Sequence, residues 1–256
     1  MKILVAIKQV PSRESQLRIN STGQWIDESD LSFEINEPDA YALEEALQLK
    51  EKYSGEVVAL CAGPASASQT IREALAKGAD RAIHIEEESL ASLDTLAVAR
   101  LLAKAAETES PDLILTGLQS DDLGFGQTGV VMAELLGMAH ATIIMHVEKT
   151  DSFISVKREM EDAWFQNVQL PLPAVLTIQS GISKLRYATL MGIKKAKTKD
   201  VKRLTAGELG VDLQPVISMQ RVYAPEKSKQ TQLLDGPPKE AAAKLIEKLK
   251  FEVRAL

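Results

Sequence analysis

Apolar runs of strand length alternate with amphipathic helical stretches through the first 137 residues. That alternation leaves few architectures open. Residues 3–7 (ILVAI), 56–62 (EVVALCA), 81–85 (RAIHI) and 112–117 (DLILTG) read as strands. Between them, 39–53 (DAYALEEALQLKEKY), 66–79 (SASQTIREALAKGA), 92–107 (SLDTLAVARLLAKAAE) and 126–137 (GQTGVVMAELLG) carry apolar residues at helical spacing. Gly78 and Gly137 are natural helix stops. Strands alternating with helices predict a mostly parallel sheet with helices on both faces. Continuously apolar strands such as VVALC and LILT fit burial on both sides. The expected fold is α/β and Rossmann-like.

Between the first strand and the first helix, NSTGQW (20–25) reads as a hairpin turn. After Gly137 the pattern changes. Residues 141–149, 153–159 and 164–170 read as consecutive strands, predicting an antiparallel extension. PAVLTI (173–178) is one more strand, left through Gly181. From Lys184 to Arg203 there are eight basic residues and one acid, Asp200. Tyr187, Leu190, Met191 and Ile193 sit inside that run. Bulky apolar groups framed by charge suggest a docking surface; a basic helix packing its apolar side on the core is the plainer alternative. Between Asp212 and Pro237 no core pattern is visible, so the tail is either disordered or an arm lying on another protein. Pro237 and Pro238 open a final amphipathic helix.

Composition narrows the function classes. A net charge of −6 argues against nucleic acid as the partner. The one cysteine, Cys61, lies in an apolar run and reads as a small core residue. His84, His140 and His146 form no metal-like spacing, so no metal site is expected. No stretch approaches a membrane span, and the first apolar run is too short for a signal-peptide core. A cytoplasmic protein not integral to the membrane is expected. There is no G-x-S-x-G elbow and no Walker loop. Ser66 and Ser68, at a helix start, read as caps. No catalytic residue is expected.

In an open parallel sheet, ligands collect at the carboxyl ends of the strands. Ala6, the Ala62-Gly63-Pro64 turn and the loop from Ser120 to Gly129 occupy three such ends. Gly124 to Gly129 formally match G-x-G-x-x-G, but late in the sheet and separated from the strand by SDDL, so the dinucleotide motif itself does not apply. The physics remains: Gln127, Thr128 and Gly129 stand at a helix start, where free N–H groups favour a phosphate. Asp121 and Asp122 either accept from ribose hydroxyls or cap the turn. A structural glycine turn is the alternative for the whole loop.

LPAVLTI, RYATL and IKKAKTK, in that order and spacing, resemble the signature region of the electron transfer flavoprotein beta subunit. MKILVAIKQVP, NEPDAYALEEALQLKEKY, LCAGPASASQTIREALAKGADRAIHI and LTGLQSDDLGFGQTG are similar to further segments of that family, so the resemblance covers essentially the whole chain. It implies a heterodimer with an alpha subunit, an α/β domain at 1–199 that includes the 184–199 recognition segment, and a C-terminal arm and helix at 200–256 packed on that partner. It implies AMP bound in this chain by Ala6, Asn36, Glu37, Pro38, Asp39, Ala62, Asp121, Asp122, Gly124, Gly126, Gln127, Thr128 and Gly129. FAD is implied mainly in the alpha subunit, near this chain. Docking of acyl-CoA or other flavin dehydrogenases and of a quinone oxidoreductase is implied through Arg186, Tyr187, Leu190, Met191 and Ile193, with Leu190 at the tip.

Some positions depart from the family. Electron-bifurcating members, which hold a second FAD that meets NADH, read Q-V-G-P where this chain reads Gln127-Thr128-Gly129-Val130; that departure favours AMP. Gly124, Phe125 and Gly126 replace acids or Asn. SKLR replaces Asn-Pro-Arg before Tyr187, and DAWFQN replaces a Gly-Gly pair; both lie near the docking elements. The competing class is an adenine-nucleotide enzyme or sensor. An ATP pyrophosphatase would show a Ser-Gly-Gly-type loop after the first strand, where IKQVPSRES stands here. A stress-type binder would need neither the basic segment nor the tail.

Overall fold

A computed structural model describes residues 1–150, 152–225 and 231–255. In chain order the strands are β1 (Lys2–Ala6), β2 (Gln9–Pro11), β3 (Phe33–Ile35), β4 (Glu56–Gly63), β5 (Arg81–Glu86), β6 (Leu113–Gly117), β7 (Ala139–Lys149), β8 (Phe153–Glu159), β9 (Phe165–Pro171), β10 (Ala174–Ile178) and β11 (Val201–Leu204). The helices are α1 (Glu37–Tyr53), α2 (Ser68–Lys77), α3 (Thr95–Glu109), α4 (Thr128–Leu136), α5 (Leu190–Ala196), α6 (Ala206–Leu209) and α7 (Pro238–Lys248).

Nine strands form one sheet in the order β11-β5-β4-β1-β6-β10-β7-β8-β9. It is parallel from β11 to β7, and β8 and β9 extend it as an antiparallel meander. The expected α/β class and meander are both present. From β1 the chain steps through β4 to β5 on one side and then crosses to β6 on the other. The connections therefore diverge at the carboxyl end of β1 and leave a crevice there.

The period-2 alternation of buried strands explains the two-sided core. Ile3, Val5, Val57, Ala59, Leu113 and Leu115 join a cluster with Leu43 and Leu47 of α1 and Ile71 and Leu75 of α2. Leu4, Val58, Leu60, Ile83 and Ile114 join the opposite cluster with Leu101 and Leu102 of α3 and Met132 of α4.

Helix ends follow local chemistry. Asp94 caps α3 by accepting from Ala97 N–H at 2.9 Å. Gly137, at φ +63°, closes α4. The predicted turn at 20–25 is present: Asn20 N–H donates to the Trp25 carbonyl at 2.8 Å.

The chain divides into two compact units, Met1–Arg221 and Val222–Leu256. Within the first unit, β11 pairs with β5 as an edge strand, and Ala206 and Leu209 of α6 enter the core. In the second unit, α7 runs into a π turn at Leu249–Val253, and neither buries a residue. The stretch 226–230, part of the expected arm, lies outside the described residues. Among the described residues, no helix is long and apolar enough to cross a membrane.

Candidate nucleotide crevice and docking segment

The crevice at the carboxyl ends of β1, β4 and β6 has a volume of about 330 Å³. Asp39, in the first turn of α1, is its keystone. Its Oδ2 accepts from Lys8 N–H at 2.7 Å and its Oδ1 from Gly117 N–H at 2.9 Å, so one buried carboxylate ties the ends of β1 and β6 to α1. Gly117 is required here: a Cβ would fall 2.3 Å from Asp39 Oδ1. Burial pushes Asp39 up to about 7, against the pull of the Lys8 and Gly117 N–H groups and Asn36.

Asn36, also buried, stitches α1 to the long loop. Its Nδ2 donates to the Gln119 carbonyl at 2.9 Å and its Oδ1 accepts from Asp121 N–H at 2.9 Å. Lys8 Nζ pairs with Asp122 Oδ1 at 2.7 Å, and Arg13 Nη2 bridges Glu37 and Asp121. Both loop aspartates are thus engaged in holding the loop.

The loop delivers the start of α4 to the crevice. Gln127, at the cap position, makes no side-chain cap bond, so the first N–H groups of α4 are available to an anion. Gly129 lets this helix end sit close to the sheet, since a Cβ there would fall 2.5 Å from Thr116 Oγ1. Opposite, Leu90, Leu93 and Val98 make an apolar wall, and Ala6 and Ala62 leave space at the strand ends. This arrangement can hold an anion at the helix start and a flat apolar group along the wall.

Of the residues expected at the site, Ala6, Asn36, Asp39, Ala62, Asp122, Gly126, Gln127 and Thr128 line the crevice. Glu37, Pro38, Asp121, Gly124 and Gly129 adjoin lining residues in the chain without lining the crevice themselves. Lys8, Thr116 and the wall from Leu90 to Val98 also line it and were absent from the sequence reading. Only the strand-end position of Lys8 and Thr116 could have pointed to them.

The basic segment splits into two roles. Arg186 is tied down. Its Nε and Nη2 bond Glu44 at 2.8 and 3.0 Å, and its Nη1 reaches Glu51 at 2.6 Å, both carboxylates standing on α1. Tyr187 and Leu190, by contrast, are 92% and 82% exposed, and Met191 and Ile193 are exposed beside them. Core packing does not account for these apolar side chains. Thr189 caps α5 by accepting from Gly192 N–H at 3.0 Å. Gly192 in turn lets α5 approach the Ala76 carbonyl of α2.

Next to Glu44, Glu45 is a buried acid that burial, and then the charge of Glu44, push up to about 7. Its folded value lies above its unfolded one, near 4.5. The folded chain therefore holds a proton that the unfolded chain has lost, and stability falls as pH rises from about 4.5 to 7. Up to about 3 kcal/mol is at stake across that window. Glu45→Gln should therefore melt higher than the parent at pH 8 and alike at pH 4.5. Thermal melts at both values check this, and an unchanged difference between them would contradict it.

Comparisons with known proteins bear on this geometry. Residues 24–209 match the electron transfer flavoprotein domain. The chain is 37% identical to the electron transfer flavoprotein subunit beta of Methylophilus methylotrophus over 96% of its own length and 97% of that protein's. It is 38% identical to the Bos taurus subunit beta, covering 98% and 97%. To the mitochondrial subunit beta of Arabidopsis thaliana it is 36% identical over the full length of both.

Proposed function

The chain belongs to the electron transfer flavoprotein family, as a beta subunit, and from that premise we propose that it holds AMP in the crevice at β1, β4 and β6 while shaping the FAD site of an alpha subunit. The observation that carries the nucleotide assignment is the start of α4, uncapped and set against small residues at the end of a parallel sheet. Thr128, Gly129 and Val130 N–H groups would hold the single phosphate. Leu90, Leu93 and Val98 would lie along the base. Asn36 and Lys8 hold the loop in place for both.

FAD, when bound by the alpha subunit, supplies the electron chemistry. This chain contributes no catalytic residue and acts as a carrier subunit. Tyr187, Leu190, Met191 and Ile193 present an apolar anchor to acyl-CoA or other flavin dehydrogenases, and a quinone oxidoreductase receives the electrons. Lys194, Lys195 and Lys197 around α5 steer the encounter. Arg186 acts one step behind, fixing the segment on α1 through Glu44 and Glu51. The unit from Val222 onward, with α7 burying none of its residues, serves as the arm that lies on the alpha subunit. The complex works in the cytoplasm.

Co-expression with an alpha subunit should give a yellow complex with a flavin absorption spectrum, whereas the chain purified alone should bind little FAD and be cut by protease in its tail. A stable, fully flavinated preparation of this chain alone would overturn the proposal.

A further inference from the structure

We infer that a second pocket, at the foot of the docking segment, binds a small oxyanion of the phosphate class. It lies between the start of α2, strands β5 and β11, and the stretch linking α5 to β11, with a volume of about 150 Å³. That equals roughly five times the share of one liquid water, room for an oxyanion and part of its shell. Arg72, Lys197, Lys199 and Arg203 bring four positive charges to its lining, and no acid lines it. Lys199 is already engaged with the Leu75 and Ala79 carbonyls, and Arg203 with Glu86. Among the described residues, Arg72 and Lys197 make no ion pair.

A solvated basic face would account for the cations alone. His84 is what it does not account for. The ring is 1% exposed, lines the pocket, and carries a buried Nδ1 with no partner. Its Nε2 lies 3.1 Å from the Gly63 carbonyl, which can only accept, so Nε2 carries the hydrogen. Nδ1 is then a lone pair among cations, and buried polar atoms ordinarily have partners. An oxyanion that still carries a proton resolves this: a P–OH of inorganic phosphate donates to Nδ1, while Arg72 and Lys197 supply charge-assisted bonds to the other oxygens. Ser68, at the start of α2, adds a hydroxyl. Donors from three separate elements suit a multi-oxygen phosphate better than a planar carboxylate. An anion there bridges α2 to the residues that follow α5 and so steadies the docking helix from below.

The inference is independent of the AMP assignment, and its test keeps the two apart. The complex, with histidine labelled in this chain, is titrated with inorganic phosphate under excess AMP. The ring signals of His84 are followed against those of His140 and His146, which are exposed. Phosphate should shift His84 saturably, and chloride at matched ionic strength should not. Arg72→Ala combined with Lys197→Ala, both surface changes outside the crevice, should weaken the effect about tenfold or more without altering the melting temperature. A stationary His84 signal, an equal response to chloride, or unchanged binding by the double variant would overturn the inference. A response to acetate as strong as that to phosphate would overturn the phosphate class.

Discussion

Replacing Leu190 with alanine should slow reduction of the complex by its partner dehydrogenase about thirtyfold at limiting partner concentration, with little change in melting temperature. Leu190 is 82% exposed at the first position of α5, with Tyr187, Met191 and Ile193 exposed around it. A side chain that buries almost nothing in the free chain contributes little to its folding. Seated in a partner pocket, the same side chain becomes a desolvated anchor, and truncating such an anchor costs about 2 kcal/mol or more of binding, roughly thirtyfold. The lysines of α5 act on the encounter rate, so the residual reaction should remain sensitive to salt. Stopped-flow reduction and thermal melting, taken together, decide the matter. A lowered melting temperature with unchanged transfer would mean that Leu190 is a structural residue.

Asp39→Asn is expected to strip the complex of its nucleotide and to cost about 2 kcal/mol of stability. The substitution is nearly isosteric, so its effect is chemical. An amide offers one acceptor where two backbone donors, Lys8 N–H and Gly117 N–H, now meet two carboxylate oxygens at 2.7 and 2.9 Å. Its NH₂ group must face one of those donors, and an orphaned buried donor costs about 1–3 kcal/mol. The same two bonds place the ends of β1 and β6 against the start of α1, so losing one opens the crevice. Denaturant unfolding and the AMP content of the purified complex are the readouts. Native stability with a full complement of nucleotide would contradict the keystone role of Asp39.

Most of the sheet was legible in the sequence because its strands and helices are locally consistent. VVALC and LIL (113–115) are apolar at every position, as burial under helices on both faces demands, and Gly78 and Gly137 mark helix ends by backbone conformation alone. What stayed hidden depends on distant partners. PAVLTI reads as a strand, yet nothing local says that β10 inserts between β6 and β7, earlier strands of the chain. β11, with Lys202 and Arg203 exposed at a sheet edge, blends into the basic run around it. Arg186 looked like one more docking cation. Its partners Glu44 and Glu51 lie 142 and 135 residues away, a separation at which no spacing rule operates. The crevice divides in the same way. The helix start at Gln127-Thr128-Gly129 carries its chemistry in its own sequence. Lys8 and the wall of Leu90, Leu93 and Val98 become site residues only through the crossover at β1.

The central claim is that this chain holds AMP while the flavin belongs to its partner. The most direct measurement is to denature the purified heterodimer and identify the released nucleotides by mass and amount. The account predicts one AMP and one FAD per heterodimer. Two FAD with no AMP would contradict it, and would mean that the crevice at β1, β4 and β6 holds a second flavin as in the bifurcating members of the family.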